Sequence, residues 1–311
     1  MDVLPLCLDL DGSIPLQKPL AAALAKIVDL RAAEHDMRLW ANRTGLAAVR
    51  RTIHELRGQY PQPWLTFLGS GDFHHMTLLL LETLPPQTRP VTLVLIDNHP
   101  DWFIWPPRYH CGNWVAGALR LPWVDSVVLI GQDSEDLQGH CFWTAPFGAL
   151  CAGRVQLFPY ARSSVRVPLR WPVSVAGASR ATRRWYGVDM GFDTIEQRGA
   201  DQVFEELASR VAGRHVYVSI DKDCLASQWA LTDWEQGRLS IEELQRGLQR
   251  LRASTQIVGI DICGEAAPHP LRGLLKRLDA GRLIAHPPVS LDGHRVNERT
   301  NLALLGACAT E

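Results

Sequence analysis

Short apolar runs alternate with amphipathic stretches along most of this chain. The apolar runs have the length of buried strands, and the stretches between them have room for helices. The candidate strands are 3–10, 64–68, 91–96, 127–130, 155–158, 216–220, 257–262 and 302–305. Strands that alternate with helices are typical of a parallel sheet covered by helices. The pattern therefore predicts an α/β protein with one large, roughly eight-stranded parallel sheet.

Several stretches between the apolar runs carry the apolar spacing or the end signals of helices. The predicted helices are 15–30, 39–56, 203–211, 241–251 and 271–278. Ser240 and Glu243 form a capping box before one of them, because each side chain can bond the backbone of the other. Gly213 and Gly281 lie just beyond two others, where a glycine can adopt the left-handed conformation that ends a helix.

Length and composition restrict the class of protein. The 311 residues would also permit two domains, but the runs fit one sheet, so we expect a single domain over 1–311. A hydrophobic fraction of 46% with 21% charged residues excludes a mostly disordered chain. The net charge of −1 gives no general attraction to nucleic acid or to anionic membrane, so neither is expected as a partner.

The length of the apolar runs, the N-terminal residues and the cysteines favour a cytoplasmic protein. No apolar run approaches the ~20 residues of a membrane span. The N-terminus has no basic region, and Asp9 and Asp11 lie where an export signal would be apolar. The seven cysteines are scattered and form no C-x-x-C pair, which favours a reducing compartment.

One segment has an unusual charge distribution. Residues 137–188 contain no aspartate or glutamate. They carry seven arginines: Arg154, Arg162, Arg166, Arg170, Arg180, Arg183 and Arg184. The segment fits either a solvated surface whose acidic partners lie elsewhere or a cationic rim for an acidic substrate or partner chain.

The sequence DNHPD at 97–101 is the strongest chemical signal. It directly follows the apolar run VTLVLI, and ligands of parallel sheets bind outside the carboxyl ends of strands. Asp97, His99 and Asp101 occupy alternate positions, which lie on one side of an extended chain. Two carboxylates and an imidazole suit a hard or borderline divalent ion such as Mn²⁺.

Three further strand ends carry similar residues. Asp221 and Asp223 follow the run HVYVSI, residues 70–75 read SGDFHH, and residues 259–265 read GIDICGE. One such piece alone is more often a turn or a cap. Four of them at the ends of four apolar strands favour a single shared metal site over four unrelated caps.

The order G-D-x-H, D-x-H-x-D, S-x-D-x-D and a later strand-end acid resembles the arginase/agmatinase (ureohydrolase) family, from about Leu65 to Pro268. The resemblance implies a three-layer α/β/α sandwich around an eight-stranded parallel sheet. It also implies two Mn²⁺ ions per chain, held by two histidines and four aspartates. Carried over, the ligands are His74, Asp97, His99, Asp101, Asp221 and Asp223. Asp97 and Asp221 are expected to bridge both ions.

The same resemblance implies the hydrolysis of a guanidino group to urea and an amine, such as ornithine from arginine. Glu265, which begins an E-A-A-P sequence like the family's E-x-x-P, would receive the guanidinium, with Asp261 as the alternative. Asp223 would accept a proton from the attacking water. His110 would protonate the leaving amine.

Two motifs depart from the family pattern. Phe73 separates Asp72 from the imidazoles, so either His74 or His75 could be the ligand, and we favour His74. Residues 112–113 match the family's G-N, which makes Asn113 a candidate substrate contact, but the histidine two residues later is replaced by Val115.

The substrate prediction follows from these departures. The contacts that grip the α-amino and α-carboxylate groups of free arginine are not recognisable in this chain. The tryptophans near the metal motifs either belong to the core or line a wide apolar entrance to the active site. In the second case Trp102 would contact the substrate. These tryptophans are Trp102, Trp105, Trp114, Trp229 and Trp234. An arginine within a peptide is therefore favoured over free arginine, as in outlying members of the superfamily.

Two other functions are alternatives to the ureohydrolase hypothesis. A zinc-dependent deacetylase of the same fold would use one metal, and a non-catalytic metal-binding scaffold would bind metal without turnover. The number of metal ions per chain and an assay for urea separate them. The resemblance also implies a homo-oligomer, although no interface can be read from the sequence.

Overall fold

The computed structural model describes residues 3–105, 109–137, 144–162, 164–168, 178–185, 187–281 and 291–309. Its main feature is an eight-stranded sheet in which every neighbouring pair of strands is parallel. The strands are β1 (Leu4–Asp9), β2 (Lys26–Asp29), β3 (Trp64–Phe67), β4 (Val91–Ile96), β5 (Val124–Ile130), β6 (Val155–Phe158), β10 (His215–Asp221) and β11 (Gln256–Cys263). Their order across the sheet is β2-β1-β3-β11-β10-β4-β5-β6. The predicted α/β fold with a parallel eight-stranded sheet is confirmed.

Helices cover both faces of this sheet. They are α1 (Ser13–Leu16), α2 (Lys18–Ala23), α3 (Glu34–Met37), α4 (Arg43–Gln59), α5 (Met76–Glu82), α6 (Trp114–Ala118), α7 (Phe147–Cys151), α8 (Ile195–Arg198), α9 (Ala200–Arg210), α10 (Ile241–Ser254), α11 (Leu274–Asp279) and α12 (Leu291–Ala309). Successive residues of β4 belong to different cores. Leu93 packs with α4 and α5, and Val94 packs with α9, α10 and α12. Because successive strand residues point to opposite faces, the two cores are the two interlayer contacts of an α/β/α sandwich.

One predicted strand was wrong, and another replaces it. Residues 302–305 lie inside the 19-residue helix α12, because a short apolar run alone does not distinguish a buried strand from a buried helix turn. The eighth strand is β2, within the stretch 15–30 that was predicted to be one helix. Its residues are mostly exposed at the edge of the sheet, so they lack the apolar signal of the inner strands.

The helix predictions had mixed outcomes. The Ser240 capping box is present at the start of α10, and α9 ends shortly before Gly213, whose φ is 73°. The helix predicted over 271–278 is present as the shorter α11, Leu274–Asp279. Leu274, Leu275 and Leu278 of α11 are 67%, 72% and 51% exposed, so its apolar side faces solvent.

A second, antiparallel sheet of three strands contains much of the arginine-rich segment. Its strands are β7 (Ser164–Pro168), β8 (Ala178–Arg184) and β9 (Gly187–Phe192), in the order β7-β9-β8. Arg154 and Arg162 bond backbone carbonyls, and Arg184 pairs with Asp189, whereas Arg180 and Arg183 are exposed on β8. Arg170 and the side chain of Arg166 lie outside the described residues.

The sheet order determines where the predicted ligands meet. Strands β3, β11, β10 and β4 are consecutive neighbours at the centre of the sheet. All four run in the same direction, so their carboxyl ends lie along one edge. Among the described helices, none is long and apolar enough to cross a bilayer.

Candidate metal centre and cavity

Histidine and aspartate side chains from three of the central strands converge in the structure. His74 lies in the turn after β3, Asp97 and His99 follow β4, and Asp221 and Asp223 lie at the end of β10. Each motif is separated from the others by many residues, and only the parallel pairing of the strands brings them together.

The first cluster, here called the His74 group, comprises His74, Asp97, Asp101, Asp221 and Cys263. The Nδ1 atom of His74 is 2.9 Å from an oxygen of Asp101, 3.3 Å from Asp97 and 3.5 Å from Asp221. Asp101 adopts a positive φ of 46°, and its Oδ2 accepts a hydrogen bond from the indole of Trp114 at 2.7 Å.

The second cluster, the His99 group, comprises Asp97, His99 and Asp223. The Nδ1 atom of His99 is 2.8 Å from Asp223 Oδ2 and 3.8 Å from Asp97 Oδ1. The backbone N–H of His99 also donates to Asp97 Oδ1 at 2.6 Å. Asp97 belongs to both groups, whereas Asp221 contacts His74 and Cys263 of the first.

The orientation of His74 is set by a chain of buried hydrogen bonds. The hydroxyl of Ser219 donates to Asp261 Oδ1 at 2.8 Å, and Thr77 donates to the same oxygen at 3.0 Å. Because the Ser219 proton is used in this way, its oxygen accepts from His74 Nε2 at 2.9 Å. The proton of a neutral His74 therefore lies on Nε2, and the lone pair of Nδ1 points at the carboxylates.

The donor set fits divalent cations. The Nδ1 atom of His74 and the Oδ2 atom of Asp97 are buried, and neither makes a hydrogen bond to the described residues. Unbonded buried polar atoms are costly, and buried carboxylates gathered around one imidazole repel one another. A cation between these atoms removes both penalties, and imidazole and carboxylate donors suit Mn²⁺ or Zn²⁺.

The electrostatics of the carboxylates agree with this interpretation. Burial, reinforced by the charge of Asp223, raises the pKa of Asp221 from 3.8 to about 7. Burial and the charge of Asp97 raise the pKa of Asp223 to about 6. Burial opposes ionisation of His99, but Asp223 and Asp97 outweigh it and hold the pKa of His99 well above its usual value. These groups share protons in the absence of a cation, as crowded carboxylates and imidazoles do.

His75, the alternative ligand, lies outside both groups. Its ring is fully buried, and neither nitrogen has a hydrogen-bond partner among the described residues. Burial, together with the nearby His110 and Lys276, lowers the pKa of His75 to about 3. His75 is therefore a neutral, buried ring beside the site, and the structure brings His74 to the other ligands.

A cavity of about 250 Å³ opens from the two groups toward the surface. Six aspartates line it: Asp97, Asp101, Asp136, Asp221, Asp223 and Asp279. His99 and His110 also line it, and no lysine or arginine does among the described residues. The ring of Trp234 forms part of the wall and meets His99 edge-on at 6.0 Å. The cavity is strongly acidic and suits a cationic ligand.

His110 lies in the wall of this cavity. Its Nδ1 accepts the backbone N–H of Gly112 at 2.9 Å, so the ring proton of a neutral His110 lies on Nε2. Nε2 is 2.7 Å from Asp279 Oδ2, at the end of α11. Lys276, in the same helix, holds α11 in place by donating to the carbonyls of Arg38 and Trp40 at 2.5 and 3.1 Å.

The structure places Glu265, the predicted substrate contact, away from the cavity. Glu265 is 1% exposed and does not line the cavity. Its carboxylate contacts the buried ammonium of Lys222. Three amides also donate to it, at 2.7 to 2.9 Å: Gln17, Asn297 and Asn301. Both oxygens are thus occupied by groups of this chain, and Glu265 has a structural role. Asp261, the alternative, is buried beneath His74 and is not in the cavity either.

Two further predicted substrate contacts, Trp102 and Asn113, also lie away from the cavity lining. Trp102 is fully buried and packs with the apolar residues between the sheet and helices α4 and α5. Asn113 is 3% exposed, and its Oδ1 accepts the backbone N–H of His110 at 3.1 Å, so it holds the loop and does not face the cavity. Of the other tryptophans, Trp114 packs on His74 and Trp105 is 79% exposed.

Three residues of the site were not identified from the sequence. Cys263 stands within the segment GIDICGE, and its position two residues after Asp261 on a strand end was the available signal. Asp136 and Asp279 line the cavity from a short helical turn and from α11. Neither is next to a recognisable motif, so only the folded chain identifies them.

The parallel sheet and the converging ligands define an arginase-like α/β protein. Residues 180–271 match the Arginase family. The whole chain has the fold of an arginase from Bacillus cereus, with a TM-score of 0.61 and 14% identity, covering 100% of this chain and 99% of that one. An agmatine ureohydrolase from Thermoplasma volcanium gives a TM-score of 0.57 at 12% identity, covering 99% and 90%. The resemblance to the arginase/agmatinase family is confirmed by the family match over 180–271 and by the shared fold.

Two more comparisons show the degree of divergence. A proclavaminate amidino hydrolase from Streptomyces clavuligerus matches with a TM-score of 0.58 and 18% identity, over 99% of this chain and 92% of that one. An uncharacterized protein from Thermotoga maritima is 27% identical over 209 residues. That match covers 66% of this chain and spans 59% of the length of the relative.

Proposed function

We propose that this protein is a metal-dependent hydrolase that cleaves a guanidino group to urea and an amine. The observation that carries the proposal is the pair of ligand groups that share Asp97 at the floor of an acidic cavity. Two buried atoms of these groups, His74 Nδ1 and Asp97 Oδ2, lie 3.3 Å apart and have no hydrogen-bond partner among the described residues. The arginase-like fold agrees with this chemistry.

The six predicted ligands would hold two divalent cations, for which the carboxylate and imidazole donors favour Mn²⁺. Such a pair, when bound, activates a water molecule for attack on the guanidinium carbon. Asp223 lines the cavity, with its Oδ2 atom 2.8 Å from His99 Nδ1, and would accept a proton from the attacking water. His110 would protonate the leaving amine, because its Nε2 proton lies at the cavity wall and is held there by Asp279.

The positive charge of the substrate needs a partner other than Glu265. Asp136 and Asp279 line the cavity and belong to neither ligand group. Their carboxylates can accept hydrogen bonds from a planar guanidinium, which prefers paired acceptors. We propose that they take the place that the sequence assigned to Glu265.

The substrate that fits best is an arginine side chain within a peptide. The described lining of the cavity contains no lysine or arginine that could hold the α-carboxylate of free arginine. Asp136 and Asp279, the two lining aspartates outside the ligand groups, would repel that carboxylate. Within a peptide this charge is absent, and only the guanidino end has to enter.

A metal analysis coupled to an assay for urea tests the proposal. We expect about two divalent ions per chain and more urea from an arginine peptide with blocked ends than from free arginine. Asp221→Ala should abolish both metal retention and urea release in a folded chain. Asp201→Ala is the matched control, since Asp201 pairs with Arg246 on the surface of α9 and should be dispensable.

The other outcomes separate the competing functions. A single zinc with amide hydrolysis and no urea would support the deacetylase reading. Bound metal without turnover of any guanidine or amide would support a scaffold. More urea from free arginine than from the peptide would refute the peptide substrate while leaving the hydrolase reaction intact.

A further inference from the structure

Cys263 is the last residue of β11, and its thiol points at the His74 group. The residue is 1% exposed, and Sγ donates to Asp221 Oδ2 at 3.1 Å. That same oxygen is 3.5 Å from His74 Nδ1. Ligand atoms of Cys263, His74 and Asp221 all lie within 4.8 Å of one another, which is the spacing of donors around one cation.

The backbone is built to bring this strand end close to Asp221. Gly264 follows Cys263 with a φ of 85°, and a Cβ atom there would lie 2.3 Å from Asp221 Oδ1. Only glycine permits both the left-handed turn and the close approach. The backbone conformation at Gly264 therefore holds the end of β11, and with it the Cys263 thiol, beside the Asp221 carboxylate.

We infer that Cys263 binds the cation of the His74 group as a thiolate, together with His74 and Asp221. The inference rests on the metal centre of the proposed function. When the cation binds, the Sγ–H bond breaks, a sulfur–metal bond forms, and the proton leaves to solvent. No change in oxidation state is involved.

This ligand makes the two cation positions chemically different. The His99 group offers only oxygen and nitrogen donors, from Asp97, His99 and Asp223, and suits a hard ion such as Mn²⁺. The His74 group adds a soft sulfur, which favours Zn²⁺ or Co²⁺. The protein would therefore discriminate between metals at its two positions.

Absorption spectroscopy with Co²⁺ tests the inference on the full chain. After removal of metal with a chelator and addition of Co²⁺, we expect a sulfur-to-cobalt charge-transfer band in the near ultraviolet. Cys263→Ser should lose the band, because serine supplies no sulfur ligand. Its hydroxyl can still donate to Asp221, so the local hydrogen bond is kept. Cys151→Ala, which removes a partly exposed cysteine of α7, should keep it.

Two further measurements make the test independent of how the variant folds. X-ray absorption of the zinc-loaded natural chain should show a sulfur neighbour at about 2.3 Å from zinc. Competition with a chromogenic chelator should show that Cys263→Ser weakens Zn²⁺ binding about tenfold or more and Mn²⁺ binding less, because the lost donor is soft.

The outcomes distinguish this inference from the proposed function. Co²⁺ binding without the band in the natural chain, or a band that persists in Cys263→Ser, would overturn the thiolate ligand and leave the hydrolase proposal standing. A chain that binds no metal would overturn both. A band in the natural chain, lost in the variant, with no urea from any guanidine would support the ligand and refute the hydrolase.

Discussion

Single side chains in this site are oriented by neighbours that never touch the cavity. His74 is the best example, since Ser219 accepts its Nε2 proton and is itself held by Asp261 at 2.8 Å. A histidine ligand that donates its second nitrogen to a fixed acceptor is held in one tautomer and one ring orientation. Ser219 and Asp261 are therefore expected to control metal affinity.

Ser219→Ala tests this at the level of one residue. The variant removes the acceptor for His74 Nε2, so the ring is free to rotate or change tautomer, and metal affinity should fall about 10–100-fold. Competition with a metal indicator measures the change. Ser126→Ala is the control, because Ser126 bonds Asp125 on an exposed part of β5. Equal affinities for the two variants would show that His74 is held by its packing alone.

Glu265 shows how one distant partner changes the role of a residue. Its motif suggested a substrate contact, yet Lys222, which lies between two predicted metal ligands, neutralises it in the core. A buried charge requires such a partner, and once paired it has no capacity left for a substrate. The sequence showed both residues but not that they meet.

At the scale of secondary-structure elements, the contact between α9 and α10 depends on a glycine. Gly247 of α10 lies against the ring of Phe204 in α9, and a Cβ atom at position 247 would be 2.6 Å from that ring. The absence of a side chain lets the two helices approach, and together they cover one face of the sheet.

Gly247→Ala and Gly306→Ala form a matched pair of helix substitutions. Alanine has the higher helix propensity, and Gly306 of α12 has open space around it, so Gly306→Ala should stabilise the protein by up to about 1 kcal/mol. Gly247→Ala should destabilise it by about 1–3 kcal/mol, because overpacking outweighs propensity. Urea unfolding measures both. A stabilised Gly247→Ala would show that the helices separate without cost.

The ionisation of the whole site links pH to the stability of the folded molecule. Without metal, burial and Asp223 raise the pKa of Asp221 from 3.8 to about 7, and burial and Asp97 raise that of Asp223 to about 6. The folded protein therefore binds more protons than the unfolded chain between about pH 4 and pH 7, and its stability falls as pH rises through this range. The pKa of His99 is raised well above 6.5 in the folded protein, so the loss of stability with rising pH continues above pH 6.5.

Thermal unfolding at about pH 6 and about pH 8 tests this linkage. The metal-free protein should melt at a lower temperature at the higher pH. Added Mn²⁺ should raise the melting temperature more at the higher pH, because the cation competes with protons for the same ligands. Metal-free melting temperatures that stay level or rise with pH would contradict the shared burial of these groups.

The sequence alone determined the sheet and the place where the main candidate ligands meet. The apolar period is a local property, and parallel strands end along one edge, so Asp97, His99, Asp221 and Asp223 had to lie near one another. The exposed edge strand β2 and the helix over 302–305 were missed because weak or short apolar signals do not specify one element.

Only the tertiary structure decided which side chains face the cavity. Whether His74 or His75 turns inward, and whether Glu265 meets a substrate or Lys222, depends on partners that are distant in sequence. The same is true of Cys263, which joins the site through the pairing of β11 with β10, and of Asp279, which is next to no motif and joins it through the docking of α11. Periodicity places a residue on an element, but packing and charge pairing between elements decide what its side chain touches.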